Sequence, residues 1–210
     1  MTLNNIDLIK PLLNFSEPGD FYMLYVFKRK KDQPEGERDN HQSVRTIKTY
    51  CIESIDHLER RYDEIIQLCE MFKARAYIHI QKQNHSEVSL NMLADLAIRI
   101  KNGSHNQKGL FDSVVGQIKT NEKRWIVDID TKDEIVVHRV AHIIDAVKPI
   151  GEDSKIITCI PTKNGYHLIT KRFDVMEFNK YMECEGEVPD IQKKNPTLLY
   201  YPNSLELINQ

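Results

Sequence analysis

The order of apolar and polar residues along the chain predicts an alternation of strands and helices. Phe21 to Phe27 is aromatic or aliphatic throughout, which is typical of a buried strand. Residues 75–82 alternate between apolar and polar side chains, as a half-buried strand does. Between these two strands, Ser54 to Lys73 should form an amphipathic helix, with one apolar face that comprises Leu58, Tyr62, Ile65, Cys69 and Phe72.

The same patterns, with turn and cap signals, extend to the whole chain. Strands are predicted at 21–27, 44–52, 75–82, 124–130, 156–160, 165–171 and 197–201, and helices at 54–73, 89–102, 109–118, 133–147 and 174–184. The first 20 residues indicate an arm or a small helix, and 28–42 an exposed loop with Pro34 and Gly36. Because several strands are hairpin neighbours, the fold class should be α+β rather than a wound parallel sheet.

Length and composition limit the possible class of protein but do not identify its function. A chain of 210 residues suits one domain or a compact pair with a shared core. The net charge of -2 gives no overall attraction to nucleic acid, so such a partner would need a local basic patch. Without a long apolar stretch or a signal-peptide pattern, we expect a cytoplasmic protein and no membrane partner.

The cysteines do not suggest a metal site. They are widely spaced, with no Cys-x-x-Cys and no cluster with histidine, so a structural zinc is not expected. Each lies beside apolar neighbours, which favours small buried side chains in a reducing compartment. The four residues are Cys51, Cys69, Cys159 and Cys184.

Two carboxylates stand out on the predicted strand 124–130. Asp128 and Asp130 are two residues apart, so their side chains point to the same face of an otherwise apolar strand. Two close carboxylates repel each other, and burying them without a partner is costly. A divalent cation would resolve both problems. The alternative is a strand end that emerges into solvent at Thr131.

Two further segments could carry chemistry. The predicted strand 156–160 runs into the turn Thr162-Lys163-Asn164-Gly165 and then to His167 on the next strand. Glycine allows close backbone approach to a ligand, and lysine and histidine offer donors that suit phosphate. Asp190 follows the last predicted helix, before a basic turn. A plain hairpin and a surface aspartate are the alternatives.

Taken in order, these segments resemble the three motifs of the archaeo-eukaryotic primase superfamily, also called the primase-polymerase family. Its motifs are an apolar strand with Asp-x-Asp, a small or polar turn that leads to a histidine on a strand, and a single Asp. The matching segments are Ile126-Val-Asp-Ile-Asp130, Thr162-Lys-Asn-Gly-Tyr-His167 and Pro189-Asp190. The segment Leu198-Leu-Tyr-Tyr-Pro-Asn-Ser-Leu205 also resembles the strand after the third motif, although Tyr200 and Tyr201 stand where the family often has a basic residue.

The resemblance covers about residues 120–206 and implies a metal-dependent DNA primase or primase-polymerase, a nucleotidyltransferase of DNA replication. By position, Asp128, Asp130 and Asp190 would be catalytic and would hold Mg2+ or Mn2+. The nucleotide-binding residues would be Thr162, Lys163, Asn164, Gly165, His167 and Arg172. The implied fold is a palm-like (RRM-like) mixed sheet in residues 121–210 that packs, as one compact unit, against an N-terminal αβ lobe in residues 1–120.

The resemblance also implies partners. These are a nucleoside triphosphate, a single-stranded DNA template and a replicative helicase in trans, as in phage replication, which would place the chain in a bacterial host's cytoplasm. Template contacts are expected at basic positions, which alternatively form ordinary solvated surface. They are Lys28-Arg-Lys-Lys31, Arg75, Lys82, Lys171-Arg172 and Lys193-Lys194.

Four other interpretations compete. His138 and His142 lie four apart on a helix and could share a metal, but no third ligand is evident. Asp128-Ile-Asp130-Thr131 resembles haloacid-dehalogenase-type phosphatases, with the threonine one residue too early. A nucleotide-sugar glycosyltransferase would use Asp-x-Asp but would not predict the histidine and the later aspartate. A catalytically idle, nucleic-acid-binding replication accessory protein on the same fold is the remaining alternative.

Overall fold

Two antiparallel sheets, covered by helices, organise the protein. A computed structural model describes residues 2–33, 44–104, 107, 109–118, 123–203 and 205. The strands are β1 (Leu3–Asn4), β2 (Asp20–Arg29), β3 (Val44–Ile52), β4 (Arg75–Ile78), β5 (Gln83–Asn84), β6 (Trp125–Ile129), β7 (Ile156–Pro161), β8 (Tyr166–Thr170), β9 (Asp190–Gln192) and β10 (Thr197–Tyr201). The helices are α1 (Ile6–Ile9), α2 (Ile55–Phe72), α3 (His85–Lys101), α4 (Leu110–Gln117), α5 (Glu134–Ala146) and α6 (Val175–Glu185). The predicted α+β class is confirmed.

The first sheet has the strand order β1-β10-β4-β2-β3, and β5 also pairs with β2. Tyr22, Leu24 and Val26 of β2 point into the core that includes α2. Phe21 and Met23 point the other way and pack with residues of α3 and α4. Because both faces of β2 are covered, its sequence is a continuous apolar run rather than an alternation.

The second sheet has the order β7-β8-β6-β9. Trp125, Val127 and Ile129 of β6 pack against α5 and α6 in one apolar cluster. Ile126, on the opposite face, belongs with Ile160 and Ile169 to the core of the first sheet. The face of β6 that carries Ile126 and Asp128 is therefore the face directed at the first sheet.

The two sheets are joined through the C-terminal strand. β10 follows all three sequence motifs in the chain, yet it pairs with β1 and β4 of the first sheet. The buried Asn5 fixes this junction, because its Nδ2 donates to the carbonyl of Pro161 at 2.9 Å and to that of Leu198 at 3.0 Å. Residues from both halves of the chain thus share one core.

Most predicted elements are confirmed, and the bounds of β3 and β10 match the prediction. The start of α3 was predicted wrongly at Ser89, because Asn84 is the N-cap: its side chain accepts from the Ser86 N–H at 3.0 Å. The predicted strand 75–82 ends at Ile78. Strand β9 was not predicted at all. Residues 34–43, which include most of the predicted loop, and Ser204 lie outside the described residues.

The cysteine prediction is confirmed only in part. Cys69 is buried, as expected of a small apolar side chain. Cys51 and Cys159 are half-buried, and Cys184 is exposed, which contradicts the prediction for that residue. Cys184 lies near the end of α6, where its own helix leaves it facing solvent.

Candidate functional site

The three sequence motifs meet in one row across the second sheet. Asp128 on β6 lies directly opposite His167 on β8 and, on the other side, directly opposite Asp190 on β9. Residues directly opposite each other in antiparallel strands project from the same face of the sheet. The row His167, Asp128 and Asp190, the acidic row, therefore projects from one face of the sheet. Asp128, His167 and Asp130 line one pocket on that face, and Asp190 is not among its lining residues.

Gln192 connects the two acidic strands, and sequence reasoning missed it. Its Nε2 donates to Asp128 Oδ2 at 3.2 Å and to Asp190 Oδ2 at 3.0 Å. The signal that could have revealed it is the spacing Asp190-Ile-Gln192, since strand residues two apart share a face. This spacing is informative only within a strand, and the sequence pattern does not predict a strand at residues 190–192.

The carboxylate of Asp128 is in an unfavourable environment for its charge. Its pKa is raised, first by burial and then by the neighbouring carboxylates of Asp130 and Asp190. Arg29 and the amide of Gln192 oppose this effect. The net rise shows that these two groups do not fully compensate the crowded negative charge.

His167 is buried and neutral at neutral pH. Burial lowers its pKa to about 4, and the charge of Arg29 acts in the same direction. Its Nδ1 lies 2.9 Å from the hydroxyl of Thr197, and its Nε2 lies 3.5 Å from Asp128 Oδ1. Since the Asp128 carboxylate can only accept, the arrangement fits a histidine whose Nε2 carries the proton and whose Nδ1 accepts from Thr197.

The acidic row opens into a pocket of about 210 Å³ between the two sheets. The first sheet contributes aromatic and basic side chains, and the β7–β8 turn contributes polar ones. We call this space the acidic pocket; its lining residues are Phe27, Arg29, Val44, Arg75, Tyr77, Asp128, Asp130, Thr162, Lys163, Asn164, His167, Gln192, Asn195, Pro196 and Leu198. A pocket with carboxylates on one wall and cations on another suits a metal ion together with an anionic ligand.

Arg75 is in this pocket and not on a solvated surface. It is only 4% exposed, and its Nη2 lies 2.6 Å from Oδ1 of the equally buried Asp32. Its guanidinium lies 4.9 Å from the centre of the Tyr201 ring, and Lys163 Nζ lies 5.5 Å from the same ring. Tyr201, which departs from the family pattern, thus holds two cations at the pocket.

Gly165 allows the β7–β8 turn to contact the end of β6. A Cβ at this position would overlap the Ile129 carbonyl oxygen, and it would lie 2.7 and 2.8 Å from the backbone N and O of Thr131. The turn is closed by the hydroxyl of Thr162, which accepts from the Gly165 N–H at 3.1 Å. The close approach expected of Gly165 is therefore to the protein's own backbone beside Asp130.

Other predicted basic residues are not at the pocket. Arg172 is exposed beyond the end of β8, where Thr170 pairs with Trp125, at the end of β6 far from Asp128. Lys82 is paired with Asp20 at 2.8 Å. Lys193 Nζ lies 4.9 Å from the centre of the Trp125 ring. From the predicted basic segment Lys28-Arg-Lys-Lys31, Arg29 lines the acidic pocket.

The carboxylate oxygens of this site suit a hard divalent ion, but they are not arranged as a ready-made metal site. Mg2+ and Mn2+ prefer carboxylate oxygens, which Asp128, Asp130 and Asp190 supply. Within the described residues, no three His, Cys, Asp or Glu side chains are grouped tightly enough to form a metal site as they stand. The Gln192 amide lies between Asp128 and Asp190 and donates a hydrogen bond to each. It occupies a position where a bound cation would also be stable. His138 and His142 are both exposed on α5.

Comparisons with protein-family models, with curated proteins and with solved structures find no match to this chain. None of the described helices is long and apolar enough to cross a membrane.

Proposed function

We propose that this chain is a metal-dependent nucleotidyltransferase of the primase-polymerase type, which synthesises or extends primers on a single-stranded DNA template. The observation that carries the proposal is the cross-strand row of His167, Asp128 and Asp190. These residues come from the three segments that resemble the primase-polymerase motifs in sequence. The second sheet, with helices α5 and α6 on one face and the carboxylates on the other, supports a palm-like lobe.

The side chains of the acidic pocket, together with Asp190 on the neighbouring strand β9, divide into two groups. Asp128, Asp130 and Asp190 would hold Mg2+ or Mn2+. When bound, these ions would activate the attacking 3′-hydroxyl and neutralise charge on the leaving pyrophosphate. The raised pKa of Asp128 supports this role, because burial and then the neighbouring carboxylates of Asp130 and Asp190 disfavour a charge that a cation would stabilise.

The second group would bind the triphosphate of the incoming nucleotide. Arg29 and Lys163 line the pocket and can offer charged donors, and Asn164 is exposed at the turn between them and the acidic row. His167 is neutral, because burial keeps its pKa near 4, so it would offer one N–H, at Nε2, by exchanging its 3.5 Å contact with Asp128 Oδ1 for a phosphate oxygen. Fixed donors of this kind stabilise phosphoryl transfer by position and electrostatics, without a general base.

Nucleotide incorporation on single-stranded DNA tests the proposal. Purified protein is incubated with templates, with and without a primer, with NTPs or dNTPs and with Mg2+ or Mn2+. Activity is expected to fall by more than about 100-fold in Asp128→Asn and in Asp190→Asn, because two-metal chemistry needs every bridging carboxylate. Asp63→Asn, an exposed aspartate on α2, is the matched control and should retain activity.

A second candidate is favoured by the Gln192 amide. An amide that donates to Asp128 and Asp190 already stabilises the two carboxylates without a cation. This favours a catalytically idle relative that binds nucleic acid on the same fold. Binding of single-stranded DNA without incorporation in any metal would support this candidate and contradict the first.

A further inference from the structure

A second cavity lies on the first sheet, outside the acidic pocket. Its volume is about 120 Å³, and it opens between β2, the β4–β5 region and α4. The residues that decide its chemistry are Tyr25, His79, Gln83, Asp112 and Lys194. None of them is a candidate catalytic or metal-binding residue. We call it the Gln83 cavity.

Gln83 lines this cavity and carries an unused, buried hydrogen-bond acceptor. Its residue is only 7% exposed, and its Oε1 has no hydrogen-bond partner among the residues that the structure describes. Leaving a buried carbonyl unpaired costs free energy that an alternative apolar side chain would avoid. A ligand that brings an N–H donor would satisfy it. The carboxylate of Asp112, exposed at the rim, is a second acceptor.

One wall of the cavity, formed by Tyr25 and His79, is aromatic and uncharged. The rings of Tyr25 and His79 meet edge to face, with centroids 5.6 Å apart. Burial lowers the pKa of His79 to about 4 and raises that of Tyr25 to about 12, so both side chains are neutral at neutral pH. Such a wall favours a flat, uncharged ring over a small ion.

The Gln83 cavity and the acidic pocket are lined by consecutive residues of the chain. Lys194 lines the Gln83 cavity, whereas the following residues, Asn195 and Pro196, line the acidic pocket. The segment from 193 to 196 therefore borders both spaces. A nucleic-acid strand that leaves one space for the other would cross this segment, where Lys194, whose Nζ donates to the Gly116 carbonyl, has further N–H donors for a phosphate.

We propose that the Gln83 cavity binds one base of a single-stranded nucleic acid whose backbone crosses the 193–196 segment from the acidic pocket. The base must present an amino group to Gln83 and Asp112. Cytosine does so through N4, whereas thymine presents an oxygen acceptor at the same position. The proposal rests on the proposed function for the strand in the acidic pocket, but it concerns binding and not catalysis.

Binding of oligo-dC and oligo-dT of equal length tests this proposal, with fluorescence anisotropy in EDTA at one fixed salt concentration. The wild type is expected to bind oligo-dC about 5-fold tighter than oligo-dT, as one satisfied hydrogen bond would give. Gln83→Met, which keeps the shape and removes the acceptor, should abolish that difference without loss of stability in urea. Equal affinity in the wild type, or a preference that survives Gln83→Met, overturns the proposal.

Two further measurements complete the test. One distinguishes a base in a strand from a free nucleotide, and the other tests whether the strand passes Lys194. Free cytidine monophosphate should compete much more weakly than oligo-dC, and equal competition would assign the cavity to a free nucleotide and refute the strand. Lys194→Ala should reduce the slope of log affinity against log salt by roughly 0.7, whereas Lys180→Ala, exposed on α6, should not. An unchanged slope in Lys194→Ala contradicts the crossing, and this arm stands even if Gln83→Met does not fold.

The outcome of the base-binding test can be distinguished from the outcome of the nucleotide-incorporation assay. Asp128→Asn should lose nucleotide incorporation and keep the preference for oligo-dC, since Asp128 does not line the Gln83 cavity. If the wild type incorporates nucleotides but shows no base preference, the cavity proposal alone is refuted. If the preference is present and no incorporation occurs, the enzymatic proposal alone is refuted.

Discussion

Replacing Gly165 with alanine should separate the turn that carries Lys163 from the end of β6. The added Cβ would overlap the Ile129 carbonyl oxygen, and it would lie 2.7 and 2.8 Å from the backbone N and O of Thr131. All three obstacles are backbone atoms, so no side chain can rotate away. Overpacking in a tightly packed site costs about 1–3 kcal/mol, and the upper end, about 3 kcal/mol, is expected here.

Urea denaturation and thermal melting measure this cost. A loss of about 3 kcal/mol corresponds to a fall of roughly 6–12 °C in Tm for a chain of this size. The matched control is Gly151→Ala, because a Cβ at Gly151 meets nothing within 4 Å. The control should lie within about 0.5 kcal/mol of the wild type, as surface substitutions do.

Gly165→Ala should also weaken Mn2+ binding, since relief of the clash must move the backbone beside Asp130. The reasoning is refuted if Gly165→Ala and Gly151→Ala are equally stable. It is refuted in part if stability falls while Mn2+ affinity is unchanged, because the turn would then have moved instead of the end of β6.

Three further predictions concern the charges of the site. Gln192→Leu removes the donor between the two carboxylates, so Mn2+ affinity by titration calorimetry should rise about 5-fold; a fall would mean that the amide oxygen is itself a ligand. Because the pKa of folded His167 is about 4 against an ordinary 6.5, the unfolded chain takes up the proton first, and stability should fall as pH drops from 6.5 towards 4. His167→Gln should reduce the slope of that part of the urea-midpoint profile, to which His79 contributes as well because its pKa is also about 4, and an unchanged profile would contradict the assignment. Asp32→Asn should destabilise by about 3 kcal/mol, because it leaves the buried Arg75 without its counter-charge; a change below about 1 kcal/mol would show that water or another group compensates Arg75.

The acidic row shows how far a sequence pattern leads towards a site. The alternation along β6 predicted that Asp128 and Asp130 share a face, and the apolar periodicity predicted the helices that flank it. The pairing of β9 with β6 was not predictable, because three residues give no periodic signal and the partner strand is distant in sequence. Asp190 was therefore selected by its order in the chain, while the structure shows that it lies opposite Asp128.

The basic residues show the opposite case. Arg172 was selected because it follows the strand of His167, but the antiparallel register carries the chain away from Asp128 at that end. Arg75 was expected to be an ordinary surface charge or a template contact, and it is buried beside Asp32. Local sequence reports neither the direction of a strand relative to its neighbours nor the burial of a long charged side chain.

By itself, the sequence determined most of the strands and helices and which of their side chains share a face, because these depend on periods of two and 3.6 residues along one segment. It also determined three segments whose polar side chains suit a metal ion or a phosphate. Only the tertiary structure decided that His167, Asp128 and Asp190 form one row, that Gln192 joins two of them, and that Gly165 contacts the backbone beside Asp130. The physical reason is that register, burial and close backbone contact arise between segments far apart in the chain, where packing of both sheets around one core selects a single arrangement.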